Sequence, residues 1–186
     1  MKKSLLILLL LLLCSCSNNT IKIQYPYTIK AKDVDMSAYS GVNSTKHNFK
    51  AITVSEFFNT IDNKSSGIFY LGRSNCGCCQ TTTKYLSEVA SELGVTVYYI
   101  DVYNEDQPLT DKDLQDKLKV YMLDILNKDE NGEKQIFTPH LFTVINGELS
   151  KNLVCYDDID FTSDPTSQQE DNLKKAYTEI LKPFAN

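Results

Sequence analysis

The chain has 186 residues, 42% of them hydrophobic and none of them tryptophan, with a net charge of −5. That length fits one ordinary domain with a tether, and the acidic balance argues against a nucleic-acid partner, whose phosphates call for a basic surface. Six cysteines make the redox compartment the first question, because cysteine serves as structural disulfide, redox thiol or metal ligand according to where a protein resides.

From the N-terminus, Lys2 and Lys3 precede an unbroken apolar run at 5–13. The run is short for a membrane span but suits the core of a secretory signal. Leu13-Cys14-Ser15-Cys16 resembles a bacterial lipobox, in which a small residue precedes the cysteine that becomes lipidated. Ser15 puts Cys16 in that place, whereas Cys14 follows Leu13. The expectation is a signal peptide over 1–15, lipidation at Cys16, and a position on the extracytoplasmic face of a bacterial membrane, held by the lipid anchor. Residues 17–48 are polar and weakly patterned, apart from a candidate strand in IKIQYPYTI at 21–29. They read as spacer, with the folded domain over 49–186.

From Phe49 the patterns sharpen. FKAIT reads as a strand and VSEFFNTID as a short helix with Thr53 as its N-cap. GIFYLG at 67–72 is an apolar strand ending where the cysteines begin. TTTKYLSEVASELG then sets Leu86, Val89, Ala90 and Leu93 at helical spacing, with Gly94 as the stop. VTVYYIDVY at 95–103 is β-branched and aromatic, a buried strand. TDKDLQDKLKVYMLDILN carries Leu114, Leu118, Tyr121, Met122 and Ile125 on one helical face. Asn131-Gly132 marks a turn. IFTPHLFTVINGELSKNLVCY reads as two strands joined at Asn146-Gly147, and Asp164-Pro165 precedes a helix with Leu173, Ala176, Tyr177, Ile180 and Leu181 inward. Strand–helix alternation implies a parallel section and the hairpin adds an antiparallel pair. The fold class is α/β, a mixed sheet between two layers of helix.

The chemistry concentrates in SNCGCCQ at 74–80, with Cys76, Cys78 and Cys79 within four positions. Side chains three apart at a helix start are neighbours, whereas those two apart diverge. Cys76 and Cys79 can therefore pair; Cys76 with Cys78 requires remodelling of the turn, and adjacent Cys78 and Cys79 are less suited still. Burial does not choose between Cys78 and Cys79, which flank the apolar stripe equally, and Cys76 is expected to be the exposed member of the pair. The amides and dipole of a helix N-terminus stabilise a thiolate and lower its pKa, so Cys76 is the expected attacking thiol and Cys79 the resolving one.

The strand GIFYLG, Cys76-Gly77-Cys78-Cys79, the helix, the strand VTVYYIDV, and Thr138-Pro139 opening a strand that ends in Asn146-Gly147-Glu148 together resemble the thioredoxin fold. More narrowly, they resemble the extracytoplasmic thioredoxin-like lipoproteins of Gram-positive bacteria, including bacteriocin-transport accessory proteins. The resemblance covers 49–181. It implies a cis Pro139 facing the cysteine pair, with Thr138 supplying backbone contacts to an extended substrate, and no cofactor beyond a redox-active Cys76–Cys79 disulfide. Its partners are then the thiols and disulfides of extracytoplasmic proteins, or a redox partner. Three positions depart from thioredoxin. Asn75 stands where thioredoxin has tryptophan, Tyr70 aligns with its buried aspartate, and Val97 with the partnering lysine. The usual proton relay is missing, and Tyr70 is left as either a weak substitute or a core residue.

Other readings stay open at this level. Cys155, in LVCY, lies where the related segment passes near the cis-proline; it is either a small buried residue or a partner for Cys78, and both count as auxiliary candidates. Cys76, Cys79 and His140, with or without Cys78, make a soft set suited to Cu(I) or zinc, the basis of an alternative metal-carrier reading, although the primary reading assigns no metal. A further alternative is a non-catalytic accessory lipoprotein of a secretion or bacteriocin system. The acidic stretch DDIDFTSD at 157–164 lacks calcium-loop spacing and reads as a solvated loop.

Overall fold

The computed structural model describes residues 21–104, 107–155, 159 and 163–185. The expected signal peptide over 1–15 and the expected lipidation position Cys16 lie outside the described residues, as does most of the acidic stretch. No helix among the described residues is long and apolar enough to cross a membrane.

In chain order the elements are β1 (Lys32–Asp33), β2 (Phe49–Ala51), α1 (Val54–Asp62), β3 (Gly67–Gly72), α2 (Gly77–Leu93), β4 (Val97–Asp101), α3 (Lys112–Tyr121), β5 (Asn127–Lys128), β6 (Lys134–Gln135), β7 (His140–Ile145), β8 (Glu148–Val154) and α4 (Ser167–Leu181). The six-stranded sheet runs β1-β2-β4-β3-β7-β8. β4 is parallel to both β2 and β3, and β7 is antiparallel to both β3 and β8. The parallel half and the hairpin half thus meet at β3, the strand that delivers the cysteines.

Period-two alternation along the fully buried β3 sorts the core into two layers. Ile68 and Tyr70 join Leu86, Val89, Leu173 and Tyr177 on the α2/α4 face. Phe69 and Leu71 join Phe57, Phe58 and Leu118 on the α1/α3 face. Local chemistry sets the helix ends. Thr53 caps α1 by accepting from the Glu56 amide at 3.4 Å. Gly94, at φ +65°, takes the left-handed turn that ends α2. Thr166 and Gln169 form a capping box at α4, two residues beyond the expected start at Asp164-Pro165.

Three expectations are corrected. IKIQYPYTI forms no strand. Its backbone is held by side chains instead, with Tyr27 N–H on Ser65 Oγ at 3.4 Å, Ser65 Oγ on the Tyr27 carbonyl at 3.0 Å and Tyr27 Oη on Glu56 at 2.7 Å, and Pro26 has no amide to give a ladder. The helix expected through residue 127 ends at Tyr121, because Asn127–Lys128 pairs with Lys134–Gln135 around the Asn131-Gly132 turn; Met122, Ile125 and Leu126 still reach the core through a 3-10 turn. The segment before 49 is more than spacer. β1 extends the sheet, and Met36, Tyr39 and Val42 are buried in the α2/α4 layer, so the folded unit reaches back past the expected boundary.

The Asn146-Gly147 turn has φ of 55° and 85°, the pattern of a type I′ hairpin. A Cβ at Gly147 would lie 2.7 Å from the Ile61 carbonyl and 2.8 Å from Lys64 Cα. Gly147→Ala is therefore expected to cost more than the ~1–2 kcal/mol of a left-handed non-glycine residue. Gly132→Ala, with similar φ but open space around it, is expected to cost only that conformational part. Urea unfolding of the two variants measures the difference, and equal losses would contradict it.

Candidate active site

The end of β3 and the first turn of α2 place Cys76 as the N-cap, at φ −99° and ψ 121°. Its sulfur accepts from the Cys79 amide at 3.3 Å, the role a serine or aspartate oxygen usually plays. The Cys76 thiol also lies 3.5 Å from the Thr138 carbonyl, and the Thr138–Pro139 peptide is cis. The structure thus brings Cys76, Cys79, Thr138 and Pro139 together. Cys76 keeps 9% exposure and Cys79 none, which makes Cys76 the accessible member.

Charge follows this geometry. Hydrogen bonding from the Cys79 thiol is the largest influence on Cys76; the Cys79 amide and the Arg73 guanidinium add to it against the opposing effect of burial, and the Cys76 pKa is pushed down to about 5. The same contact, seen from the other side, ties the proton to Cys79; together with burial it pushes the Cys79 thiol well up. One sulfur is a thiolate at neutral pH and the other holds its proton toward it.

The remaining cysteines sort themselves out. Cys78 and Cys155 form a disulfide with Cα atoms 6.3 Å apart, while Cys76 and Cys79 are free thiols. Cys78 points away from the pair, as two-residue spacing at a helix start requires, and the Cys155 amide donates to the Pro139 carbonyl at 3.1 Å. The bond joins the start of α2 to the chain just beyond β8, beside the proline loop.

Tyr70 is fully buried beneath the site. Its hydroxyl is 2.6 Å from Thr83 Oγ1, and Thr83 Oγ1 donates to the Cys79 carbonyl at 2.6 Å. Thr83 has one proton, so Tyr70 must be the donor between them. Burial first, then the nearby Cys79, hold its pKa well above the ordinary tyrosine value. Tyr70 therefore tethers α2 to β3 and does not act as a base on Cys79. Tyr39, Tyr99 and Tyr177 also lie within electrostatic reach of Cys79, with Tyr39 and Tyr99 hydroxyls 2.9 Å apart. This hydroxyl cluster had no sequence signal beyond a high tyrosine count, since its members come from four separate elements of the chain.

The structure does not bring His140 to the thiols with which the metal-carrier alternative groups it. His140 and Phe142 share a face of β7, their rings 5.3 Å apart, and Phe142 belongs to the α1/α3 layer, whereas Cys76 and Cys79 belong to the α2/α4 layer. Strand parity turns the imidazole away from the thiols, and no cluster of metal-ligating side chains exists among the described residues. His140 Nε2 is 3.4 Å from the Asn152 amide; Nδ1 is buried without a partner. Desolvation lowers its pKa to about 4. The unfolded chain takes up that proton near pH 6.5 and the folded one near 4. This contribution to stability is thus present above 6.5 and lost as pH falls through that window. His140→Leu is expected to flatten the fall in Tm between pH 6.5 and 4.5; an unchanged slope would remove His140 as its cause.

No family model matches the chain, and no curated protein matches it. Solved structures do. A thioredoxin of Arabidopsis thaliana in the oxidized state is 17% identical, with a TM-score of 0.41 over 70% of this chain and 96% of that one. Thioredoxin of Malassezia sympodialis is 14% identical, at 0.44 over 73% and 92%. Thioredoxin of Trypanosoma brucei brucei is 13% identical, at 0.42 over 76% and 99%. The strand order, the parallel and antiparallel halves and the flanking helices define a thioredoxin-fold protein. Its Cys76 and Cys79 thiols form a C-x-x-C pair at the strand-to-helix junction.

Proposed function

We propose that the protein is a thiol–disulfide oxidoreductase acting through Cys76 and Cys79. The observation that carries this is the Cys76 sulfur itself, capping α2 through the Cys79 amide with a free, buried thiol three residues on. The Cys76 thiolate attacks a substrate disulfide; that S–S bond breaks, a Cys76–substrate disulfide forms, and one substrate sulfur leaves as thiolate with the electron pair. Cys79 then gives its proton to solvent and attacks Cys76, forming the Cys76–Cys79 bond and releasing the second substrate thiolate. The substrate gains two electrons and the pair loses two; the reverse sequence delivers a disulfide. Thr138 and Pro139 line the approach, where substrate backbone would lie.

A stabilised Cys76 thiolate favours the dithiol and makes the pair's disulfide the more oxidising. The Cys78–Cys155 bond supports an oxidising compartment, which agrees with the lipobox-like Leu13-Cys14-Ser15-Cys16. The finer reading is a membrane-tethered lipoprotein anchored at Cys16, akin to bacteriocin-transport accessory proteins. Equilibrating the full chain in graded glutathione buffers and mapping its disulfides by mass spectrometry tests the core of this. A reversible Cys76–Cys79 bond with a midpoint less negative than about −270 mV, the thioredoxin value, is expected, with Cys78–Cys155 intact throughout. If Cys76 and Cys79 never pair, the reading fails.

A further inference from the structure

A cavity of about 330 Å³ opens beside Cys76, lined by Arg73, Val102, Tyr103, Leu109, Phe137 and Thr138 among others. Two of its lining residues touch Cys76: the Thr138 carbonyl is 3.5 Å from Cys76 Sγ, and the Arg73 carbonyl receives the Cys76 amide at 3.3 Å. The walls from Val102 and Leu109 are apolar. Tyr103 and Phe137 stand at the rim with 47% and 37% exposure, high for aromatic residues in a folded chain.

Arg73 is the only arginine in the sequence, and among the described residues it has the Cys76 thiolate in electrostatic reach but no carboxylate paired with it. Nη1 donates to the Tyr103 hydroxyl at 3.0 Å, and the guanidinium carbon sits 5.9 Å from the Tyr103 ring centre. Nε is buried with no acceptor. Among the described residues the ion pairs are Lys50–Asp33, Lys112–Asp116 and Lys174–Glu88, none of which includes Arg73. The nearby Asp101 carboxylate accepts from the Tyr103 amide instead. A guanidinium whose buried N–H lacks an acceptor loses hydration without return, and a carboxylate is the group whose two oxygens match its fork. In a chain of net charge −5, this guanidinium stands beside the Cys76 thiolate, and it loses that counter-charge when Cys76 bonds to a substrate sulfur.

We infer that the Arg73 pocket is a specificity subsite taking an acidic side chain of the substrate polypeptide, close in sequence to its reacting cysteine. The carboxylate bonds to the Arg73 guanidinium; Val102, Leu109 and Phe137 receive the stem. This rests on the exchange reading for its setting.

The test uses the full chain and a set of disulfide-bonded peptides identical except for glutamate, glutamine or lysine beside one cysteine, with neutral hydroxyethyl disulfide as control. Because Arg73 also acts on the Cys76 thiolate, the readout is the ratio of kcat/KM between peptides rather than any absolute rate. Wild type is expected to favour the glutamate peptide over the glutamine peptide by roughly tenfold and to disfavour lysine; Arg73→Gln should bring the ratios close to one while still reacting with hydroxyethyl disulfide. No preference in wild type, or the same preference in Arg73→Gln, overturns the subsite. Failure of all proteins with hydroxyethyl disulfide would instead sink the exchange reading. The subsite is then judged by titrating serine-for-cysteine versions of the peptides by fluorescence anisotropy, where a missing glutamate preference overturns it.

Discussion

Cys76→Ser is expected to abolish exchange with hydroxyethyl disulfide, a loss of at least about a thousandfold given how removing a nucleophile disables a unit of residues acting together. Cys79→Ser should still attack but stall as a stable mixed disulfide, because the sulfur that would resolve it is gone. The pH dependence separates this site from an ordinary surface thiol. Thiolate, not thiol, reacts with iodoacetamide, and Cys76 has a pKa pushed down to about 5. Its alkylation rate should therefore rise through pH 5 and be flat from 6 upward, whereas a free thiol rises through about 8.5. The linkage has a definite sign. A group whose pKa is lowered on folding adds stability that is complete above its unfolded value and lost as pH falls through its folded value, so the dithiol form should gain stability between about pH 5 and 8.5. An inflection near 8.5 would show that the Cys79 thiol and amide do not hold the thiolate.

Much of this site was legible because it depends on short-range rules. GIFYLG matched β3 residue for residue, Thr53 capped α1, Gly94 ended α2 and Asn146-Gly147 turned the hairpin, each fixed by the conformational preference of one or two residues. The Cys76–Cys79 proximity followed from helix spacing alone. What stayed hidden depends on long-range geometry. The choice between a buried Cys155 and a Cys78–Cys155 bond needed the distance between two elements 77 positions apart. His140 sits next to Pro139 in sequence, yet strand parity sends its ring to the opposite layer, a fact that adjacency conceals. The burial of Met36, Tyr39 and Val42 was missed because three core residues in a polar stretch do not make a periodic pattern. Arg73 was visible as the sole arginine, but its value lies in what surrounds it: Tyr103 comes from beyond β4 and Phe137 from before β7, and only the fold sets them around one guanidinium.

The second large effect concerns the bond that is not the working pair. Cys78–Cys155 closes a loop of 77 residues in sequence separation, and constraint of the unfolded chain by a loop of that length is worth about 4.5 kcal/mol in the loop-entropy model, with native disulfides spanning roughly 2–5. The double variant Cys78→Ala/Cys155→Ala, which leaves no stray thiol beside the site, should lose that much in urea unfolding of the oxidised protein. Its consequences for reactivity should be selective. The two largest influences that lower the Cys76 pKa, the Cys79 thiol and the Cys79 amide, are local to the start of α2 and survive the change, so the alkylation midpoint should stay near 5. The proline loop loses a brace, since the Cys155 amide that holds the Pro139 carbonyl at 3.1 Å is no longer tied to α2. Exchange with peptides, which need that loop to lie against, should slow more than exchange with hydroxyethyl disulfide, which does not. An unchanged unfolding midpoint would show that the bond does not brace the fold; equal slowing for both substrates would show that it acts on the sulfur rather than on the surface that receives the substrate.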